Sequence, residues 1–212
     1  MAEKQRNDSQ AAQPSGLTPN RVFFFTSASG DFSDELRVLD VTSAVSMSTF
    51  AGSVTEKFSK HVETLSKERE FDSSLVAFDL RRKALSSTMK FHDARQGGQV
   101  VAELDMAILK HFGAWSIRFP GQSPHSAHDV EIRPDGILQS NEHFIKDSVT
   151  YNWTVSSLAK TGALHTVLDG RKVPVAEFVA KRWLKNCGVL VLNTELLDEV
   201  VTLATCVAVI NR

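Results

Sequence analysis

The side chains in this sequence best suited to binding chemistry are basic and lie near its end. Between positions 160 and 185, six cations face two acids, Asp169 and Glu177. Lysine and arginine bind phosphate groups, so this stretch is a candidate site for an anionic head group. The alternative is a solvated outer surface that alternates with apolar side chains pointing inward. Besides Lys160, the cations, which we take as the candidate anion-binding residues, are Arg171, Lys172, Lys181, Arg182 and Lys185.

A second candidate is a histidine-containing loop. His125 and His128 are three residues apart, and Asp129 follows directly. Imidazole and carboxylate groups are ligands for metal ions, but a site needs further ligands that this stretch does not supply. An ordinary polar loop is the preferred interpretation, so the sequence predicts no metal and no cofactor.

Catalytic motifs give no positive signal. The sequence contains no phosphate-binding loop, no dinucleotide-binding fingerprint and no zinc-hydrolase motif. Serine, histidine and aspartate are all present, but no spacing links them as nucleophile, base and orienting group. The sequence therefore predicts a protein that is not an enzyme.

Composition sets broad limits on the protein. Its 212 residues are 42% hydrophobic and 23% charged, which suits one globular domain. A net charge of -1 lacks the basic excess of nucleic-acid-binding proteins. Cys187 and Cys206 are expected to be free thiols, and residues 1–20 lack the apolar segment of a secretory signal. We expect a cytoplasmic or nucleocytoplasmic protein, with peripheral membrane contact as a further option.

The chain divides into a polar tail and a domain of short strands. Residues 1–20 are polar and are expected to be a disordered tail, and residues 21–212 are expected to form the single domain. Turn residues such as those at Gly97, Gly136 and Gly170 separate runs of strand-forming residues. The predicted strands are 21–26, 36–41, 74–79, 84–91, 100–104, 115–119, 130–133, 149–155, 163–168, 173–179 and 188–192.

Two segments have helical character. Val54, Phe58, Val62 and Leu65 recur at helical spacing, which predicts an amphipathic helical insertion near 54–69. The closing run, 200–210, is apolar on nearly every side, so it must be surrounded by protein. It is too short to cross a bilayer, which takes roughly 20 residues, and no transmembrane segment is predicted.

Closing a sheet around this final segment solves the packing problem. A barrel buries one sheet face, covers every side of a helix and removes exposed sheet edges. Thr194 as a candidate N-cap, the acids that follow it and the alanines at 204 and 208 favour a helix. A buried strand, favoured by the β-branched residues, is the alternative.

Several motifs resemble one known family. The sequences Tyr151-Asn152-Trp153, Asp169-Gly170 and Val175-Ala176-Glu177-Phe178, with the final apolar run, are similar to fungal tubby C-terminal-like proteins, relatives of the plant LURP-one and phospholipid scramblase families. The likeness covers mainly residues 74–212. It implies a closed antiparallel β-barrel of about 12 strands around a central hydrophobic C-terminal α-helix.

The resemblance also suggests a function. Tubby proteins bind phosphoinositide head groups through basic residues on the barrel, so it implies a non-enzymatic adaptor that binds anionic membrane lipid head groups. The alternative is a protein-protein interaction module without a lipid ligand, oligomeric or not, that uses a barrel edge or the aromatic strand Phe23-Phe24-Phe25.

Overall fold

The computed structural model describes residues 16–27, 35–69, 72–83, 86–105, 114–136, 141–156, 161–182 and 187–211. Twelve strands and two α-helices account for most of this part of the chain. The strands are β1 (Arg21–Ser27), β2 (Glu35–Asp40), β3 (Val76–Arg82), β4 (Thr88–Asp93), β5 (Gln99–Asp105), β6 (Trp115–Arg118), β7 (Val130–Pro134), β8 (Glu142–Lys146), β9 (Val149–Ser156), β10 (Thr161–Leu168), β11 (Arg171–Arg182) and β12 (Cys187–Leu192). The helices are α1 (Glu56–Glu68) and α2 (Glu199–Ile210).

The strands form one closed antiparallel barrel in which each strand pairs with its neighbours in sequence. The barrel closes where β1 pairs antiparallel with β12, for example at Phe23 opposite Leu190. Strand β1 is therefore hydrogen-bonded along both edges, because β2 pairs with its other edge. The predicted fold class, a barrel of about 12 antiparallel strands with a C-terminal helix, is confirmed.

Helix α2 lies in the middle of the barrel and is buried on all sides from Val200 to Val209. The predicted helix is therefore correct, and the alternative of a buried strand is wrong. The N-cap, however, is Asp198 and not Thr194: the Asp198 carboxylate accepts hydrogen bonds from the backbone N–H groups of Val200 and Val201. Thr194 lies before the helix and is hydrogen-bonded to Asn20 instead, because the segment around Thr194 runs beside the start of β1.

Two threonines inside the barrel meet their hydrogen-bonding needs within the helix itself. The Thr202 hydroxyl donates to the carbonyl of Asp198, and the Thr205 hydroxyl donates to that of Thr202. A buried hydroxyl that lacks a partner would be costly, so these bonds let α2 carry polar atoms into an apolar core.

Strand β1 is buried on both of its faces. Phe23 and Phe25 point into the barrel and join the core around α2. Phe24 points outward, where it is covered by a second hydrophobic cluster that includes Phe58 and Val62 of α1. The amphipathic helix expected near residues 54–69 thus covers the outer surface of β1 and β12.

Packing begins earlier than the predicted tail boundary at residue 20. Residues 1–15 lie outside the described residues, but Leu17 is buried and its N–H donates to the Gly52 carbonyl at 3.1 Å. The Asn20 backbone N–H donates to the carbonyl of Leu192 at 3.0 Å. Leu17, the one leucine in a segment poor in large apolar side chains, belongs to the outer hydrophobic cluster.

Strand β8 does not appear among the eleven predicted strands. Its burial pattern runs against its polarity: Glu142 is buried, whereas Ile145 is 60% exposed. The strand therefore lacks the polar-outside, apolar-inside alternation by which strands are recognised in a sequence.

Candidate functional site

The structure separates the predicted anion-binding residues into two groups. Arg171 and Lys172 begin β11 and are exposed to solvent. The backbone of Lys181 and Arg182 ends the same strand. Lys185 and Lys160 lie outside the described residues.

The two ends of β11 are too far apart to share one head group. Nine residue steps separate Lys172 from Lys181, which is roughly 30 Å at about 3.3 Å per step. A run of basic residues in sequence therefore becomes two separate basic positions, one at each end of the barrel. Only Arg171 and Lys172 have described side chains, so the candidate site is built around them.

Exposed apolar side chains lie beside this pair. Among the described residues, the large hydrophobic side chains that remain exposed are Ile145 at 60%, Val167 at 57% and Leu168 at 41%. Val167 lies opposite Lys172, and Leu168 lies opposite Arg171, across the β10–β11 hairpin. We call the set of Ile145, Val167, Leu168, Arg171 and Lys172 the hairpin surface.

Two adjacent hairpins position the hairpin surface. The β8–β9 turn at Asp147 and Ser148 and the β10–β11 turn at Asp169 and Gly170 lie at the same end of the barrel, because these four strands alternate in direction. Asp147, Ser148 and Asp169 all have positive φ, between 50° and 64°, which tight hairpin turns require. Short turns of this kind hold the flanking side chains in fixed register.

The charge of the hairpin surface is mixed. Asp147 and Asp169 at the turns oppose the cations, while Lys146 forms an ion pair with Asp147. With the neighbouring turn residues included, three cations (Lys146, Arg171 and Lys172) exceed two acids (Asp147 and Asp169) by one. The surface is therefore mildly basic, and its apolar residues are as prominent as its charges.

A different charged cluster lies at the start of α2. Asp93 is fully buried and accepts two hydrogen bonds from the Arg95 guanidinium, each 3.2 Å long. Arg95 also donates to Glu199 at 2.6 Å and lies over the ring of Phe78, 4.6 Å from its centroid. Burial lowers the pKa of Arg95, but the combined hydrogen bonds and charges of Asp93 and Glu199 outweigh it and hold that pKa above its usual range. The arrangement anchors the helix end to the barrel wall.

His125 belongs to the same region. Its Nδ1 lies 3.0 Å from an oxygen of Asp198, the helix cap, while the side chain of His128 is exposed. Within the described part of the chain, no group of three or more His, Cys, Asp or Glu side chains is arranged to hold a metal ion. The bond to Asp198 gives His125 a structural partner that sequence spacing could not reveal.

The aromatic strand of the alternative function is enclosed. Phe23, Phe24 and Phe25 are all buried, and β1 is paired on both edges. Trp115 and Trp153 are buried as well, and Trp183 lies outside the described residues. The exposed apolar side chains of the described chain thus lie on β8 and β10 and not on β1.

Sequence reasoning missed the apolar half of the hairpin surface. The available signal was the reversed alternation in Glu142-His143-Phe144-Ile145, which puts an isoleucine on the outside once the strand is recognised. Val167 and Leu168 are adjacent, so one of them had to leave the barrel interior. At the end of the strand, both are exposed.

Comparison with known proteins gave no relative. No protein-family model, no curated protein and no solved structure matches the chain. Among the described helices, none has both the length and the apolar character needed to cross a bilayer.

Proposed function

We propose that this chain is a non-enzymatic tubby-like domain that binds anionic lipid head groups at a membrane surface. The observation that carries the proposal is the hairpin surface, where the exposed cations Arg171 and Lys172 lie opposite Leu168 and Val167 on one hairpin and the exposed Ile145 lies on the next hairpin. In this arrangement, Arg171 and Lys172 hold the head groups while Ile145, Val167 and Leu168 enter the interfacial layer. Anionic lipids are abundant in the cytoplasmic leaflet, which would be the site of binding.

The energies suit weak, reversible attachment. Each cation near an anionic membrane contributes about 1 kcal/mol, and full burial of a Val, Leu or Ile side chain contributes about 1.5 to 3 kcal/mol. Because the three apolar side chains are only about half exposed in the folded chain, they gain roughly half of that value on insertion. Micromolar affinity needs about 8 kcal/mol, so neither contribution reaches it alone. The proposal therefore needs both the cations and the apolar side chains, and binding should weaken with salt.

The architecture supports the family part of the proposal. A closed barrel of twelve antiparallel strands around a buried terminal helix is what the tubby resemblance implies. A shared architecture is compatible with many functions, so the lipid part rests on the hairpin surface alone.

Liposome sedimentation tests the proposal directly. The protein would be mixed at low salt with neutral phosphatidylcholine vesicles, with vesicles that also contain phosphatidylserine, and with vesicles that contain a phosphoinositide at equal total charge. We expect co-sedimentation with both anionic preparations, and a preference for the third would identify the head group. Sedimentation no greater than with neutral vesicles would overturn the proposal.

Matched variants locate the binding surface. Arg171→Ala with Lys172→Ala should reduce sedimentation on anionic vesicles, and Ile145→Ser with Val167→Ser should do so as well. The control is Lys57→Ala with Lys60→Ala, which removes two exposed lysines from α1, a helix that packs on β1 and β12 and not on the hairpin surface. Equal losses in all three double variants would contradict a specific surface.

If the alternative function, a protein-interaction module, is correct, the exposed residues Ile145 and Val167 would form the contact between two copies of the chain. Light scattering after size exclusion would report a dimer, and Ile145→Ser with Val167→Ser would convert it to a monomer. A dimer of this kind without lipid binding would replace the lipid proposal with the alternative.

A further inference from the structure

A cleft of about 340 Å³ lies on the outer surface of the barrel. Its floor is formed by β9, β10 and β11, and its wall is formed by the chain at Gly16–Leu17 and Gly52–Ser53. Small-molecule sites commonly have volumes of about 300 to 1,000 Å³, so the cleft is large enough for a small ligand. The polar side chains that line it are Ser53, Thr154, His165, Lys172 and Glu177.

The wall of the cleft is held in place by close backbone contact. A Cβ added to Gly16 would lie 3.3 Å from the Cα of Gly52, so the two segments can meet because neither has a side chain there. Gly52 also has a φ of +83°, which favours glycine. The N–H of Leu17 donates to the Gly52 carbonyl at the same crossing. The cleft is therefore formed before any ligand arrives.

Glu177 fixes the wall to the barrel and lies at one end of the cleft. One of its oxygens, Oε2, accepts a hydrogen bond from the Val54 N–H at 2.7 Å. Burial raises the pKa of Glu177, and the bond from Val54 opposes that rise. The second oxygen can accept a hydrogen bond from a ligand.

His165 lies in the middle of the cleft floor, opposite Pro174 of β11. Its ring lines the floor of the cleft, with Nδ1 turned away from solvent. Burial and the neighbouring charge of Lys172 lower the pKa of His165. A neutral imidazole can bond either a donor or an acceptor.

Lys172 lies toward the other end of the cleft, so the cation and the carboxylate lie apart on β11 with the imidazole of His165 beside them on β10. Lys172 and Glu177 are five residues apart, which is at most roughly 16 Å between their Cα atoms. Both side chains line the cleft, and an extended tripeptide of about 10 Å with a hydrogen bond of about 2.9 Å at each end spans roughly this distance. Opposite charges at the two ends disfavour a ligand that is wholly anionic or wholly cationic.

We propose that this cleft binds a short extended peptide with both termini free. Its carboxylate pairs with Lys172, its ammonium group bonds Glu177, and its backbone lies over the imidazole of His165. This site is separate from the hairpin surface, although Lys172 borders both, and it does not depend on lipid binding.

Calorimetric titration of the whole chain with trialanine tests the proposal. The comparison ligands are N-acetyl-trialanine, which lacks the ammonium group, and trialanine amide, which lacks the carboxylate. Blocking either terminus should weaken binding by about tenfold or more, because one charge-assisted hydrogen bond is lost. Because these comparisons need no mutation, they remain valid if a variant fails to fold. Absence of binding by trialanine at millimolar concentration, or equal binding of all three peptides, would overturn the proposal.

Two variants test which residue binds each end of the peptide. Glu177→Gln keeps an oxygen for the Val54 N–H and should abolish the preference for trialanine over its acetylated form. Lys172→Gln should abolish the preference over the amide. Lys90→Gln on β4 is the matched control, because Lys90 does not line the cleft, and it should leave peptide binding unchanged. Unaltered preferences in both cleft variants would contradict the proposed orientation, whatever the liposome result.

Discussion

Nδ1 of His125 lies 3.0 Å from Oδ2 of Asp198, and the other carboxylate oxygen of Asp198 caps helix α2. The aspartate thus joins the loop between β6 and β7 to the helix inside the barrel. Asp198 holds the pKa of His125 above its usual value of 6.5, and the charges of Glu199 and Asp93 act in the same direction. Burial opposes this rise, and Arg95 pairs with both of those acids.

The first prediction is a pH dependence of stability that comes from His125. Because its pKa is raised on folding, its contribution is fully present below pH 6.5 and is lost as pH rises through the higher folded value. The melting temperature of the native protein should therefore fall more steeply above pH 6.5 than that of His125→Gln. Thermal unfolding across this range measures the difference, with His128→Gln as control. Parallel curves for the native protein and His125→Gln would show that the bond contributes nothing.

The second prediction concerns the buried helix. Leu203 and Ala204 are buried inside the barrel, so Leu203→Ala should lower the free energy of unfolding by about 2 to 5 kcal/mol through lost burial and a cavity. Ala204→Asp should be worse, because it leaves a charge in the core with no partner. Denaturant unfolding measures both. Native stability of Ala204→Asp would be incompatible with a helix enclosed by the barrel.

The third prediction concerns close packing between β11 and β12. A Cβ at Gly188 would lie 2.7 Å from the Val179 carbonyl oxygen, which belongs to the backbone and cannot rotate away. Gly188→Ala should lower the free energy of unfolding by about 1 to 3 kcal/mol through overpacking. Gly121→Ala is the control, since a Cβ there has no described atom within 4 Å. Equal stability of the two variants, measured by urea unfolding, would contradict the close approach.

The fourth prediction places the boundary of the folded unit. Deleting residues 1–15, which are poor in large apolar side chains, should leave the melting temperature unchanged. Deleting residues 1–20 should lower it, because buried Leu17 and the bonds of Asn20 to β12 and Thr194 are lost. Thermal melts of the two truncated chains separate the cases. A large drop in the shorter deletion would show that residues 1–15 pack.

Residue patterns predicted the architecture better than the site. The apolar run of α2 has no polar side, and only an enclosing structure satisfies it, so the barrel followed from one physical requirement. The helix cap was misplaced because Thr194 and Asp198 are both good capping residues, and the choice depends on Asn20, which is distant in sequence.

The basic cluster shows why the site was harder to predict. Residues close in sequence are far apart along a strand, so Lys172 and Lys181 lie at opposite ends of the barrel. Ile145 and Val167, in contrast, come from different hairpins and lie at the same end only because the strands between them pair. Such proximity depends on register across several strands, which a single sequence does not reveal.

The pairing of β1 with β12 also has a consequence for synthesis on the ribosome. The hydrogen bond between Asn20 and Thr194 joins residues 174 positions apart, so the first strand is made long before its final partner. At about 5 to 20 residues per second, that delay is on the order of 10 to 30 seconds. During this time the nascent sheet has open edges and an unfilled interior, both of which favour aggregation. We therefore expect the growing chain to need chaperone protection until α2 emerges.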